Sequence, residues 1–445
     1  MMALPDQRER DLIATALDRT LVVEAAAGTG KTTALVNRIV NVIRSGVDVD
    51  QIVAVTFTEK AAGELKLKLR ERIELERRAA RAQDDTAAVA AFERALGHLE
   101  EAHVSTIHTF CADLLRERPV EARIDPLFVV LNESQSERIY DEVFRTWLHG
   151  QLLAPRDGVR RSLRRTAKRN FGRDVDEDGP VQRLWHAGWT LLQWRDHAAP
   201  WSRDPDWDRE GAIDALLQAV EILGALAERA SWRDDPVFKN LAAARALAVE
   251  IGRARQEGPL DYDGWESTLV DLSKNRELAR HKGGRQAYAP GISRDDILAA
   301  RAQLIESLGG FQRTADADLA ARLRDDLADL VVAYDEAKQA QGALDFLDLL
   351  VRARDLVRDN AEARRSFQRR FTKLFVDEFQ DTDPLQAELL VLLAADESSL
   401  DATRPDWRAA VVRPGALFIV GDPKQSIYRF RRADVGAYRD VCAHL

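Results

Sequence analysis

Two groups of residues in this chain have the types and spacing that chemistry on phosphates requires. The first is a pair of adjacent carboxylates, Asp377 and Glu378, closing the apolar run Leu374-Phe375-Val376. Such a run reads as a buried parallel strand, and α/β sheets hold ligands at the carboxyl ends of their strands. Two acids there are costly unless a cation or a reaction uses them. The plain alternative is a strand end running into a helix cap. The second group is Glu24-Ala25-Ala26-Ala27-Gly28-Thr29-Gly30-Lys31-Thr32-Thr33, preceded by Leu21-Val22-Val23. Gly28 and Gly30 let the backbone curl so that successive N–H groups face one point, and the following helix adds its positive end. This is a phosphate-binding loop with Ala25 where the pattern usually shows its first Gly. Ala25 to Thr33 would surround the phosphates. Lys31 would reach the β- and γ-phosphates, and the Thr32 hydroxyl would ligate Mg²⁺.

Three further segments end strands. Gly421-Asp422-Pro423-Lys424-Gln425 follows the apolar Leu417–Val420. A Gln just past a strand end, beside a phosphate loop, can sense a γ-phosphate through its amide. Tyr428-Arg429-Phe430-Arg431 interleaves rings and guanidiniums, which suits base stacking and phosphate holding. The alternative is an aromatic core edge with solvated arginines. Thr56-Phe57-Thr58 and Thr106-Ile107-His108 each join a strand end to a helix start, where hydroxyls, an imidazole and free N–H groups can grip a phosphodiester backbone. Simple helix capping is the other reading. His108 and Cys111 lack a second ligand pair at metal spacing.

The elements that must position these groups alternate. Strands are expected at 21–24, 52–57, 103–106, 374–376 and 416–422, with helices between the early ones, which predicts a parallel sheet. From about 120 to about 335 the pattern is helical and holds every Trp but Trp407. The expected organisation is one α/β domain, 1–119 with 336–445, interrupted by a helical insertion at 120–335. The insertion carries a basic run, Arg156, Arg160, Arg161, Arg164, Arg165, Lys168, Arg169 and Arg173, whose i, i+4 recurrence gathers much of it on one helix face. That face would either contact duplex phosphates or be a solvated surface.

With 445 residues, 45% of them hydrophobic, the chain can bury more than one core. Two distant cysteines support neither a disulfide framework nor an iron–sulfur cluster. No apolar run approaches membrane-spanning length and the N-terminus lacks a signal-peptide core, so a cytoplasmic protein without a membrane partner is expected. The net charge of −9 carries no global signature of nucleic-acid binding, so any DNA partner must use a local groove.

Four segments in order carry a resemblance: Glu24–Thr32, Thr56–Glu64, Val376–Gln386 and Gly421–Arg431. Together they closely resemble the UvrD/RecB-type superfamily 1 DNA helicases, and most of all the RecB/AddA helicase-nuclease branch. Ser105–His108 and Leu344–Leu350 are similar to that branch as well. The resemblance implies a RecA-like P-loop NTPase sheet with a large α-helical insertion, using ATP and Mg²⁺. It implies that Gln7 recognises adenine, that Asp377 joins Thr32 at Mg²⁺, and that Glu378 orients or deprotonates the attacking water. Lys31 and Gln425 would act at the γ-phosphate. Thr56, Phe57, Thr58, Thr106 and His108 would touch single-stranded DNA, with Tyr428, Phe430 and Arg431 supplying stacking and charge.

The implied activity is ATP-driven translocation on single-stranded DNA, 3′ to 5′, working at single-strand/duplex junctions in double-strand-break repair and recombination. The implied setting is a helicase-nuclease complex with a partner subunit, nucleoid-associated when acting. Arg432 departs from the pattern, standing where many relatives have Gly, which bears on base stacking. Leu445 follows the last motif closely, so the family's second RecA-like domain, with its arginine fingers, and its nuclease domain are expected to be absent from this chain. The other function class is therefore an ATP- and DNA-binding module without turnover. A small-molecule P-loop kinase would leave Tyr428, Phe430 and His108 unused.

Overall fold

A computed structural model of the protein describes residues 6–26, 28–165, 179–197, 201–280, 287–401, 405–426 and 432–445. Two compact units are present, one formed by residues 1–134 with 339–445 and the other by 135–338. The strands are β1 (Leu21–Glu24), β2 (Ile52–Thr56), β3 (His103–Thr106), β4 (Val129–Val130), β5 (Ala343–Leu344), β6 (Lys373–Val376) and β7 (Leu417–Gly421). The first unit is built on a parallel sheet in the order β1-β7-β6-β2-β3, beside the small parallel pair β4-β5.

The helices of this unit are α1 (Gln7–Thr15), α2 (Lys31–Arg44), α3 (Glu59–Ala82), α4 (Thr86–Gly97), α5 (Ile107–Glu117) and α6 (Pro119–Ala122) ahead of the insertion. Those after it are α16 (Phe346–Asp359), α17 (Ala361–Arg370), α18 (Pro384–Ala394) and α19 (Val435–His444). Alternate strand residues face opposite ways, as the period of two requires. Val53, Val55, Leu374, Val376, Leu417 and Ile419 join a core with α5, α16 and α18. Ile52, Ala54, Phe375, Phe418 and Val420 join a second core with Leu35, Ile39 and Ile43 of α2 and Leu65 and Leu69 of α3. Both sheet faces are covered, which explains why these strands read as continuous apolar runs rather than alternating ones. Each fully buried aliphatic contributes roughly 1.5–3 kcal/mol, so the carboxyl ends of five strands form a firm platform.

The second unit is helical: α7 (Glu133–Leu153), α8 (Asp157–Arg164), α9 (Pro180–Gln193), α10 (Arg209–Glu228), α11 (Pro236–Asn240), α12 (Ala242–Glu257), α13 (Tyr262–Ser273), α14 (Arg276–Ala279) and α15 (Arg294–Ala340). Its core gathers Leu217, Val220, Leu247, Ile251, Leu269, Ile297 and Leu308. The basic run is neither a phosphate-facing strip nor a solvated face. Arg161 is buried and pairs with Asp318 at 2.7 Å and Glu266 at 3.0 Å. Arg160 pairs with Asp263 at 2.5 Å, Arg165 with Glu266 at 2.7 Å and Arg164 with Asp261 at 3.4 Å, while Arg156 pairs with Asp329. These arginines fasten α8 to α13 and α15, so their charge is already matched within the unit. Lys168, Arg169 and Arg173 lie outside the described residues. No helix among the described residues is long and apolar enough to cross a membrane.

Candidate nucleotide site and its DNA-facing edge

The phosphate loop leaves β1 in register with β7, since the Ala25 N–H donates to the Gly421 carbonyl at 3.1 Å. Gly28 (φ +75°) and Gly30 (φ +91°) both adopt left-handed backbone, where a side chain would be strained. Gly30 is the N-cap of α2. The Thr29 hydroxyl donates to the Ala26 carbonyl at 2.7 Å, closing the turn from within. Lys31, Thr32 and Thr33 form the first helical turn; Ala27 lies outside the described residues.

Lys31 is buried, and its Nζ meets Glu378 Oε2 at 3.0 Å. The carboxylate pair thus stands against the phosphate loop, although 347 residues separate Lys31 from Glu378. Asp377 extends β6 toward β2 by donating its N–H to the Val55 carbonyl at 3.0 Å. Burial and the neighbouring Glu378 charge raise the Asp377 carboxyl to about 6, with Lys31 and Lys68 opposing the rise. A buried acid so far above its usual range lacks a cation, which suits a divalent-metal ligand. Glu378 itself sits in left-handed backbone at φ +55°, a conformation costing about 1–2 kcal/mol that turns its side chain toward Lys31.

Sequence reasoning missed Gln380. Its Nε2 donates to Glu378 Oε2 at 2.7 Å, and its Oε1 accepts the Asp422 N–H at 2.8 Å. Asp422 in turn accepts from the Gln425 side chain and from the Lys424 N–H at 3.1 Å. An unbroken polar chain therefore runs Lys31–Glu378–Gln380–Asp422–Gln425. Gly421 is needed for it, since a Cβ there would lie 2.9 Å from Gln380 Oε1 and 3.2 Å from the Tyr438 ring. Tyr438 of α19 donates to Glu24 at 2.9 Å, bracing the start of the phosphate loop. The only signal of Gln380 in the sequence was its place two residues after Glu378.

Gln7 lies at the start of α1 and donates to Asp11 at 2.8 Å. At the ends of β2 and β3 the helix-capping reading is realised. Thr58 caps α3 by accepting the Ala61 N–H at 3.1 Å, and Thr56 donates to the Thr58 carbonyl. Thr106 caps α5, and its hydroxyl and that of Thr109 both reach Glu59, at 2.8 and 2.9 Å. His108 packs edge-on against the half-exposed Phe346 with ring centres 5.2 Å apart. Burial pushes its imidazole down to about 4. A cavity of about 20 Å³ between these ends is lined by Thr56, Phe57, Asp377, Glu378 and Thr382, room for one water. Tyr428, Phe430 and Arg431 lie outside the described residues. Arg432, the departure from Gly, keeps a glycine-like φ of +70° and pairs with Asp383, the N-cap of α18, at 2.6 Å.

A family model for the UvrD/REP helicase N-terminal domain matches residues 6–443. The chain belongs to this family. Similar UvrD/REP-type relatives include a subunit of the ATP-dependent helicase/nuclease of Pediococcus pentosaceus, 28% identical over 93% of this chain and 34% of the relative. The protein of the same description from Latilactobacillus sakei is 25% identical over 94% of this chain and 49% of its own length. An exonuclease/helicase subunit, RexA, of Streptococcus pneumoniae serotype 4 is 27% identical over 94% of this chain and 34% of its own length. The chain thus spans between a third and a half of the length of these relatives. The family match agrees with the RecA-like reading of the sheet and with the UvrD/RecB-type resemblance carried by the four segments.

Proposed function

We propose that this chain supplies the ATP-binding part of a DNA helicase motor, with Gln7 at the adenine, Ala25–Thr33 around the phosphates, and Thr32 and Asp377 at Mg²⁺. The observation carrying the reading is the 3.0 Å contact between Lys31 and Glu378, which brings loop cation and strand-end acid to one point. The pocket residues fit the cofactor: Glu378 stands in as an anion on the loop lysine, and Asp377 is a buried acid in want of a cation. Bound Mg-ATP supplies the scissile phosphoanhydride and the metal charge that offsets its oxygens.

Lys31 releases Glu378 and turns to phosphate oxygens. Glu378, freed, orients a water and accepts its proton, with Gln380 holding the carboxylate in place. Through Gln380 and Asp422 its position is tied to Gln425, so the γ-phosphate state reaches the segment that precedes Tyr428 and Phe430. Thr56, Phe57, Thr58, Thr106 and His108 face single-stranded DNA at the ends of β2 and β3. In the whole protein the outcome is 3′-to-5′ translocation toward single-strand/duplex junctions during double-strand-break repair, beside a partner subunit in a cytoplasmic helicase-nuclease complex, as the relatives' descriptions suggest.

A second reading, an ATP- and DNA-binding module without turnover, is favoured by one observation. Among the described residues, the cations acting on Asp377 are lysines, Lys31 and Lys68, whereas arginine at the transferring phosphoryl group contributes about 10³–10⁵ in rate in such enzymes. Phosphate release from Mg-ATP, with and without a poly-dT strand, separates the readings. DNA-stimulated release that disappears in Glu378→Gln supports the motor; nucleotide binding with background release in both proteins supports the module.

A further inference from the structure

Helix α1 reaches the phosphate loop and α2 through two arginines that the catalytic reading leaves unused. Arg10, on α1, donates to the Thr29 carbonyl at 3.0 Å, on the side of the loop opposite to its inward N–H groups. The same guanidinium donates to Asp6 at 3.0 Å, and it lies 3.6 Å from where a Cβ on Gly30 would stand. Arg38, on α2, is 2% exposed. It donates to three carbonyls at the end of α1 and beyond, Ile13 at 2.7 Å, Ala16 at 2.9 Å and Arg19 at 2.8 Å. Its guanidinium also lies over the Phe418 ring, 4.8 Å from the centre. Asn41 adds a bond to the Ala14 carbonyl at 2.8 Å, and Lys373 reaches the Leu17 carbonyl at 3.3 Å. The helix buries no residue of its own. Its placement therefore depends on these polar anchors rather than on apolar packing.

We propose that Arg10 and Arg38 are positioning residues for the base end of the nucleotide site, setting helix α1, and with it Gln7, against the phosphate loop. The inference rests on the reading of Gln7 as the adenine-recognising residue. A hydrogen bond to a base edge discriminates only if donor and acceptor are held to within about 0.5 Å, and small misplacements weaken it steeply. Arg10 fixes the near side of α1 to the loop that holds the phosphates; Arg38 fixes the far end to the helix that follows the same loop. Base and phosphate subsites are thereby built on one braced unit. Loosening either arginine should erode selectivity between bases while leaving phosphate binding in place.

The test uses the 445-residue chain, with Mg-ATP and Mg-GTP affinities measured by calorimetry for wild type, Gln7→Ala, Arg10→Ala and Arg38→Met. The expected result is a preference for ATP that falls by about fivefold or more in Arg10→Ala, roughly 1 kcal/mol, with GTP affinity nearly unchanged. Gln7→Ala should abolish the same preference. Weakening of ATP and GTP by equal factors in Arg10→Ala would mean the arginine only braces the loop, overturning the proposal. A preference untouched in Arg10→Ala but lost in Gln7→Ala would overturn it as well. A preference untouched in Gln7→Ala would instead sink the adenine reading on which the proposal stands. Should Arg38→Met fail to fold, the partly exposed Arg10→Ala decides alone.

Discussion

Replacing Glu378 by Gln should tighten Mg-ATP binding. In the nucleotide-free chain the Lys31 ammonium is occupied by Glu378 at 3.0 Å, with side-chain exposures of 8% and 39%. Triphosphate must displace that carboxylate before Lys31 can serve it. At this separation the Coulomb attraction in an effective dielectric of about 20 is roughly 5 kcal/mol. Most of it is returned as desolvation and side-chain ordering, and a pair with one partner this exposed is worth about 1 kcal/mol net. Glutamine keeps the shape and can still accept from Gln380, but it releases the lysine. Affinity for Mg-ATP should therefore rise about fivefold, and the gain should shrink as salt screens the competing pair. Calorimetry at two ionic strengths reads both effects. Binding weakened fivefold or more by Glu378→Gln would refute the competition argument.

Asp377→Asn should move the other way, reducing the dependence of ATP binding on Mg²⁺; two carboxylate variants with the same magnesium titration would undo the division of roles. Gln380→Leu leaves the Asp422 N–H and the Glu378 carboxylate without their partner, costing about 2–4 kcal/mol by chemical denaturation; a loss below about 0.5 kcal/mol would mean the polar chain is not built as described. Arg161→Met strands Glu266 and Asp318 in the interior and should cost about 3–5 kcal/mol, whereas DNA affinity should keep its salt slope; a flattened slope would restore the duplex-contact reading of the basic run. His108, pushed down to about 4 by burial against the Glu59 charge, favours the neutral form when folded. Its contribution is complete above about 6.5 and is lost as pH falls through about 4, up to about 3 kcal/mol. His108→Gln should flatten the stability profile across that window, and superimposable profiles would contradict it.

The parts of the site legible from sequence were those whose chemistry is local. Gly28 and Gly30 announce a left-handed turn by residue type alone, and Leu374–Val376 ending in two acids announces a buried strand with a ligand at its end. Gln380 was not legible, because its second partner, Asp422, lies 42 residues away on the neighbouring strand. The basic run was misread for a related reason. Helical periodicity identifies which arginines share a face but not what they meet, and the acids matching Arg160, Arg161 and Arg165 lie 101 to 157 residues further on. Thr58 and Thr106 were ambiguous between capping and phosphate contact, and the structure gives both residues capping bonds. The Arg432 side chain keeps the backbone form of the Gly it replaces because Asp383 pairs with it.

Lys31 as the phosphate-facing cation is the claim on which the nucleotide site most directly stands. Calorimetric titration of the 445-residue chain with Mg-ATP, wild type against Lys31→Ala, tests it in one measurement. The prediction is saturable binding by the wild type and a loss of at least about a hundredfold in the variant, since a charge-assisted contact to phosphate and its buried setting go together. Equal affinities for the two proteins would contradict it.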